Sequence, residues 1–239
     1  MTYYLDLLSF GPDGWGDELA QGALITIALA VLTLPFGLML GLLVALGQRS
    51  GSRLARNTAV VFTTVFRGLP ELLTLFIVYY GGQLLLQKLA AALGYGAPIQ
   101  VNSFLAGFVA LGLVLAAFSS EVWMGALNAI PNGQREAARA LGLSARLSFR
   151  LVVLPQLVRL ALPGLGNNWL VLLKDTSLVS TIALADLMRQ TNIAVGSTKE
   201  PLFFYLVACL VYLFFSMVSG GALGWLEART SRGQVRRPA

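Results

Sequence analysis

The chain has 239 residues, of which 56% are hydrophobic and only 12% are charged, and its mean hydropathy is +0.74. This composition excludes an ordinary soluble domain and favours a protein that lies in a membrane. The net charge is +6, but no basic patch is interleaved with stacking aromatic residues, so no nucleic-acid partner is expected.

Five windows reach the roughly 20 mostly apolar residues that a membrane-spanning helix needs. Backbone groups in lipid must be paired internally, so these windows predict helices, and no alternating ten-residue pattern indicates a barrel. The sequence therefore predicts an all-α membrane protein with one domain, residues 1–239. Its five transmembrane helices are expected at about 19–47, 58–86, 103–127, 160–184 and 203–226, with a connector at about 128–159.

Arginine residues mark one side of the predicted bundle. They follow the first helix, fill the connector after the third helix and end the chain, whereas the opposite connectors hold only Lys88, Arg189 and Lys199. By the positive-inside rule, the N-terminus is expected outside and the C-terminus and the connector in the cytoplasm. The first 18 residues contain no Lys or Arg, so the first helix is expected to act as an uncleaved insertion signal.

Several kinds of chemistry are disfavoured by what the sequence lacks. It has no His and one cysteine, Cys209, which argues against disulfides, zinc sites, haem ligation and Cys/His catalysis. Cys209 is expected to be a small packing residue. No GxxxxGK[ST] motif occurs, so ATP would have to bind to a separate subunit. No cofactor is expected in this chain.

The local structure of the connector between Glu136 and Pro155 can be predicted from its residues. Residues 136–141 are rich in good helix formers and predict a short helix. Gly142 permits a left-handed turn that ends this helix, and Pro155 is expected to bend the chain back toward the bilayer. Between them, an apolar face is formed by Leu147, Phe149, Leu151 and Val152.

Five ionisable residues lie inside the predicted helices, where a charge is costly unless it is paired or hydrated: Arg67, Glu71, Glu121, Lys174 and Asp175. Arg67 and Glu71 stand four residues apart and can pair on one helical face. Lys174 and Asp175 are adjacent near the midpoint of the fourth predicted helix, so their side chains diverge by about 100°. Two interpretations stay open: charges that pair across the bundle, or charges that line a water-filled path, which we favour for Asp175 and Glu121.

Two glycine pairs allow helices to approach closely, Gly37 with Gly41 and Gly220 with Gly224. We interpret both as packing contacts within the chain rather than as a seam for a dimer. A short outer turn is expected from Gly94 to Pro98, and the C-terminal tail is expected to place its arginines near anionic headgroups.

The connector resembles a known docking element. It reads Glu-Ala-Ala, three residues, Gly, nine residues, Val, one residue, then Leu-Pro, which resembles the EAA loop by which permease subunits of ATP-binding-cassette (ABC) importers dock onto their ATPases. Val152 replaces the more usual Ile. Three longer segments are similar to the polar amino-acid permeases of this class: FRGLPELLTLFIVYYG (66–81), SSEVWMGALNAIPNGQREAARALG (119–142) and ALPGLGNNWLVLLKDTSLVSTIALADL (161–187).

The finer resemblance is to the Q-type subunits for histidine, for arginine and ornithine, and for the opines octopine and nopaline. Pro-Glu at 70–71 and LPGLGNNW at 162–169 carry it. It implies a five-helix type I permease of the bacterial inner membrane, working with a similar M-type permease, two ATPases that bind ATP and Mg, and a periplasmic binding protein. The implied cargo is a cationic amino acid (histidine, arginine, ornithine or lysine) or an opine.

The resemblance also implies residue roles. Glu136 would anchor the contact with the ATPase, Ala137 and Ala138 would allow close approach, and Gly142 would make the turn. The substrate path would be lined by Asp175, Glu121, Thr176, Ser177, Glu71 and Lys174, with the two acidic residues Asp175 and Glu121 attracting the cation. Asp175 stands where the histidine-type subunit has Ser, so that subunit's substrate contacts cannot be transferred. Secondary transport, which would favour inverted repeats, and a non-transporting assembly role remain as alternatives.

Overall fold

The computed structural model describes residues 2–12, 14–94 and 100–231, and all regular secondary structure within them is helical. The helices are α1 (Thr2–Asp6), α2 (Gly16–Gln48), α3 (Arg53–Gly68), α4 (Glu71–Phe76), α5 (Gly82–Ala92), α6 (Ser103–Ala129), α7 (Asn132–Ala140), α8 (Ala145–Ser148), α9 (Leu154–Asp175), α10 (Leu187–Thr198) and α11 (Pro201–Ser231). Two π-helical turns, Ile77–Gly81 and Phe149–Val153, and a 3₁₀ turn, Thr176–Ile182, join some of them. Beyond Gly94, the predicted outer turn lies outside the described residues, as do the tail arginines from Arg232 onward.

Five helical segments of the described chain are long and apolar enough to cross a membrane: Gly16–Gln48, Glu71–Ala92, Ser103–Ala129, Ala145–Ile182 and Pro201–Thr230. The predicted all-α fold with five transmembrane helices is therefore confirmed. The second and fourth segments differ from their predicted bounds, and both differences change the position of charged residues.

The predicted helix at 58–86 is wrong as a single helix, because the chain breaks before Pro70. Leu69 is extended, with φ −93° and ψ 140°, as expected for a residue whose helical conformation would clash with the following proline ring. The membrane-spanning segment then begins at Glu71. The break leaves Arg67 in the last turn of α3 and places Glu71 in the first turn of α4.

The fourth predicted helix begins earlier than expected. The backbone stays helical from Ala145 through Pro155 to Asp175, continues as the 3₁₀ turn to Ile182, and ends at Ala183, which is left-handed with φ 61°. The π-helical turn Phe149–Val153 ends two residues before Pro155 and accommodates a residue without an N–H group. The connector is therefore shorter than the predicted 128–159 and ends at Ser144, and Asp175 lies at the end of α9 rather than near its midpoint.

The most extensive helix pair is α2 with α6, and two glycines explain its closeness. A Cβ added at Gly37 would lie 2.5 Å from the Leu115 side chain, and one at Gly41 would lie 2.8 Å from the Ala116 carbonyl oxygen. The predicted packing role of this pair is confirmed. For Gly220 and Gly224 it is wrong, because no described atom lies within 4 Å of a Cβ added at either position.

The close approach of α2 and α6 predicts a large effect of one methyl group. Gly41→Ala is expected to destabilise the subunit by about 1–3 kcal/mol, since the added Cβ overpacks the contact with α6. Thermal unfolding of the purified protein in detergent measures this change. Gly220→Ala is the matched control, because it adds the same methyl group to a membrane helix in open space. Equal melting temperatures for the two variants would contradict the packing argument.

Candidate functional site

A cavity of about 190 Å³ lies between α4, α6 and α9 and holds two of the predicted path residues, Glu71 and Asp175. Two amide side chains of α9, Asn167 and Asn168, share the cavity, and the remaining walls are apolar: Leu111, Val114, Leu115, Phe118, Val171 and Leu172. A mostly apolar pocket with a few converging polar groups is the usual form of a small-molecule site. Two carboxylates make this one suited to a cation.

Local structure explains how residues 104 positions apart reach one cavity. The break at Pro70 starts α4 at Glu71, and the change from α-helix to 3₁₀ turn leaves Asp175 as the last residue of α9. α6 supplies the opposite wall, and the Asn168 Nδ2 donates to the Ser119 Oγ at 3.3 Å. That hydrogen bond fixes α9 to α6 beside the cavity.

Glu121 forms an ion pair with Arg67 and does not line the first cavity. Its Oε1 lies 3.1 Å from the Arg67 Nη1, and both side chains are 43% exposed. The predicted pairing of Arg67 with Glu71 is therefore wrong, because the helix break separates them and α6 presents a closer carboxylate. The Arg67 guanidinium also lies 5.8 Å from the centre of the Phe118 ring, which lines the cavity.

The Arg67–Glu121 ion pair is expected to contribute modestly to stability. Because both side chains are half exposed, a double-mutant cycle of Arg67→Met and Glu121→Gln should give a coupling free energy of about 0.5–1 kcal/mol. Chemical or thermal unfolding in detergent supplies the four values. The same cycle built with Glu71→Gln in place of Glu121→Gln is the control and should give no coupling. Coupling in the control alone would restore the pairing predicted from sequence.

Lys174, at the end of α9, and Ser177, in the following 3₁₀ turn, line a second cavity of about 540 Å³ between α9 and α11, to which α10 contributes Met188. Asp175 lines the first cavity, so the predicted divergence of Lys174 from Asp175 is confirmed. Cys209 also lines the second cavity and is exposed, so its predicted packing role is wrong. Thr176 is fully buried, and its hydroxyl donates to the Leu173 carbonyl at 2.7 Å. Thr176 therefore reaches neither cavity, and its predicted position on the substrate path is wrong.

The connector forms α7 and a tight turn. The N–H of Leu143 donates to the Ala138 carbonyl, and the N–H of Gly142 donates to the Arg139 carbonyl, which is the Schellman pattern of a helix end. Gly142 has φ 77°, so the predicted left-handed turn is confirmed. Glu136 and Ala137 are exposed and Leu141 is 80% exposed, whereas Ala138 is buried against its own chain.

Sequence reasoning missed the apolar walls of the first cavity and also its two amides and its aromatic residue, Asn167, Asn168 and Phe118. The two asparagines belong to the quoted LPGLGNNW segment, and amides inside an apolar helix are a signal that could have singled them out. Phe118 has no such signal, since an aromatic residue in a membrane helix is ordinary. Its place between the cavity and Arg67 depends on the packing of α3 against α6.

Comparisons with known proteins agree with this architecture. Residues 37–232 match the family model described as "Binding-protein-dependent transport system inner membrane component". The chain is 40% identical over 233 residues to the octopine transport system permease protein OccQ of Rhizobium meliloti, covering 98% of each chain. It is 42% identical over 230 residues to the nopaline transport system permease protein NocQ of Agrobacterium fabrum, covering 96% and 98%. With the histidine/lysine/arginine/ornithine transport system permease protein HisQ of Escherichia coli, identity is 39% over 223 residues, covering 93% and 97%.

Two solved structures share the fold. One is described as the crystal structure of an amino acid ABC transporter with histidines. It has a TM-score of 0.76 and 29% sequence identity, covering 90% of this chain and 95% of that chain. An inward-facing form of the MetNI methionine ABC transporter has a TM-score of 0.70, covering 90% and 96%, but its 19% identity supports the fold alone.

Proposed function

Since the chain belongs to the family of binding-protein-dependent transport system inner membrane components, as a permease subunit of an amino-acid ABC importer, we propose that its cargo is a cationic amino acid: histidine, arginine, ornithine or lysine. The observation that carries this proposal is the pair of carboxylates, Glu71 and Asp175, in one cavity within the membrane-spanning segments. The relatives named for these amino acids support it. Family membership argues against a secondary transporter or an assembly factor.

The chemistry of the cavity favours a positively charged guest. Hydrogen bonds in which one group is ionised are shorter and stronger than neutral ones, and the apolar walls from α6 and α9 reduce the screening of charge by water. The cation of the cargo would face Asp175 and Glu71, while the amides of Asn167 and Asn168 would offer further hydrogen bonds. Ser177 and Lys174 lie outside this cavity, and Glu121 is held by Arg67.

We further propose the assembly that performs transport. A similar M-type permease would complete the membrane unit, two ATPases would bind ATP and Mg, and a periplasmic binding protein would deliver cargo. The arginine-rich connectors support a periplasmic N-terminus and a cytoplasmic C-terminus, and α7 would then lie on the side of the ATPases. No covalent chemistry would occur in this chain.

Coupling would act through the exposed surface of α7. Closure of the ATPases on ATP would push on Glu136, Ala137 and Leu141 and rock the helices between outward-facing and inward-facing states. Ala138 packs against its own chain, so the close approach assigned to both alanines is proposed for Ala137 only. The Arg49 Nη1 donates to the Asn128 Oδ1 at 2.6 Å, and this bond ties the end of α2 to the end of α6 beside the connector.

An opine is the second candidate cargo. The relatives named for octopine and nopaline match nearly the whole chain, and octopine carries a guanidinium group that the same two carboxylates could accept. Opines differ from amino acids in having an additional carboxylate. A cavity that accepts them must therefore also have room and a partner for that group.

Stimulation of ATP hydrolysis by cargo tests both candidates. The complete transporter in proteoliposomes, with its binding protein, should hydrolyse ATP faster when arginine, histidine, ornithine or lysine is added. Stimulation by octopine or nopaline and not by the amino acids would favour the second candidate. Stimulation by acidic or neutral amino acids alone would refute the role assigned to Glu71 and Asp175.

A further inference from the structure

The second cavity, between α9 and α11, carries a positive charge that the proposed cation site does not use. Lys174 lies on its wall together with four hydroxyl-bearing residues, Ser177, Tyr205, Tyr212 and Ser216. Within the described residues, Lys174 forms no ion pair within 4 Å, although its charge interacts with that of Asp175 at longer range. An ammonium without a direct ion-pair partner in a membrane span requires an anionic partner or water.

The packing of α9 against α11 sets the depth of this lysine. A Cβ added at Gly166 would lie 3.1 Å from the Leu223 side chain, and Lys174 lines the same cavity as Leu213 and Ser216. The helices are therefore antiparallel, and Lys174 faces the N-terminal half of α11, because the cavity also holds Tyr205 and Cys209. Both helices belong to segments that are long and apolar enough to cross a membrane.

The same part of α9 presents opposite charges to the two cavities. Lys174 and Asp175 point about 100° apart around the axis of α9, and each lines a different cavity. Val171, one turn before Lys174, is exposed and lines the first cavity, so the surface of α9 between the two sites is accessible. A long-chain cationic amino acid carries its carboxylate and its cation at opposite ends, which matches this arrangement.

We propose that the cavity between α9 and α11 is an anion-binding site in which Lys174 binds the carboxylate of the cargo, while Glu71 and Asp175 bind its cationic end. The inference rests on the proposed function and deepens it, because it makes the separation of the two charges a requirement on the cargo. Ser177 and Ser216 supply hydroxyl groups that can donate to the same carboxylate. An opine would place one of its carboxylates there.

Cys209 allows the charge of this cavity to be measured in the native chain. It is the only cysteine in the sequence, it is exposed and it lines the cavity. In the complete transporter, the labelling rate of this subunit should be greater with an anionic methanethiosulfonate (sulfonatoethyl) than with a cationic one (trimethylammonioethyl). Lys174→Met should lower that rate ratio by roughly tenfold, as expected for a charge at close range in a partly screened site.

Lys88→Met is the matched control, because it removes an exposed lysine of α5 that does not line the cavity, and it should leave the ratio unchanged. A ratio that is unchanged in Lys174→Met as well would overturn the anion site. This comparison needs no transport, so it can succeed or fail independently of the proposed function, which the ATPase assay tests.

The identity of the anion is tested by protection of Cys209. Arginine should slow labelling several-fold, whereas argininamide, which keeps the guanidinium group and lacks the carboxylate, should not. Labelling should proceed equally in nanodiscs of phosphatidylglycerol and of phosphatidylcholine. Equal protection by arginine and argininamide, or slower labelling in phosphatidylglycerol alone, would overturn the assignment to the carboxylate of the cargo and, in the second case, favour a lipid headgroup.

Discussion

Replacing Gly142 by Val is expected to lower transport by roughly 5- to 30-fold, the factor that corresponds to about 1–2 kcal/mol of strain in a left-handed residue. No described atom lies within 4 Å of a Cβ added at this glycine, so the strain comes from its φ of 77° and not from a clash. Val would relieve it by opening the turn, which would change the angle between α7 and the helix that begins at Ala145. Uptake in proteoliposomes and binding of the ATPase subunit are measured in parallel, and uptake should fall much more than binding.

Gly142→Asn is the matched control. Asn enters the left-handed region more readily than other residues that have a Cβ, so this variant should retain most of the uptake. If Gly142→Val transports as well as the native chain, the turn does not transmit the motion of the ATPases. Equal losses in both variants would instead indicate that the open surface at Gly142 contacts the partner and tolerates no side chain.

Replacing Asp175 by Asn is expected to raise the half-saturating concentration of a cationic amino acid by about 10- to 100-fold. A hydrogen bond to a charged group contributes about 1.5–3 kcal/mol, and each 1.4 kcal/mol corresponds to a factor of ten. Asn keeps the volume of the side chain and can still donate or accept a hydrogen bond, so assembly should be preserved. Uptake measured with saturating binding protein should show a large change for arginine and a small one for any neutral amino acid that is carried.

Glu121→Gln is the matched control for Asp175→Asn, because it removes a carboxylate of the same span region that is paired with Arg67 outside the cavity. Its effect on the half-saturating concentration should be small. A large effect of Glu121→Gln would place the cation nearer to Arg67 and restore the path role predicted for Glu121 from sequence. Equal losses for charged and neutral cargo in Asp175→Asn would show that this carboxylate serves the structure of the bundle and not recognition.

The features that were predicted correctly depend on local sequence. Hydropathy over 20 residues locates the five membrane-spanning segments, the angle between adjacent helical residues separates Lys174 from Asp175, and a glycine after a short helix predicts the turn at Gly142. Each follows from geometry within a few turns of chain. They needed no knowledge of which helices are neighbours.

The features that were missed depend on contacts between distant residues or on a change of helix type. The partner of Arg67 is Glu121, which α6 brings close only after Pro70 has broken the second predicted helix. A hydropathy average over 20 residues does not detect that break, because apolar residues continue on both sides of it. The burial of Thr176 follows from the narrowing of α9 into a 3₁₀ turn, and the open surface at Gly220 follows from where α11 packs. Neither can be derived from one helix alone.

The glycine contact between α2 and α6 has a mechanical consequence. Two helices whose backbones meet at Gly41 cannot slide along each other without collision, so α2 and α6 tilt together as one rigid unit. α2 has 33 residues and is ~50 Å long. A tilt of about 5° therefore displaces one end of α2 relative to the other by ~4 Å. A small rotation at the end beside the connector would thus become a displacement of atomic dimensions at the far end, because the lack of a side chain at Gly41 lets the two backbones meet.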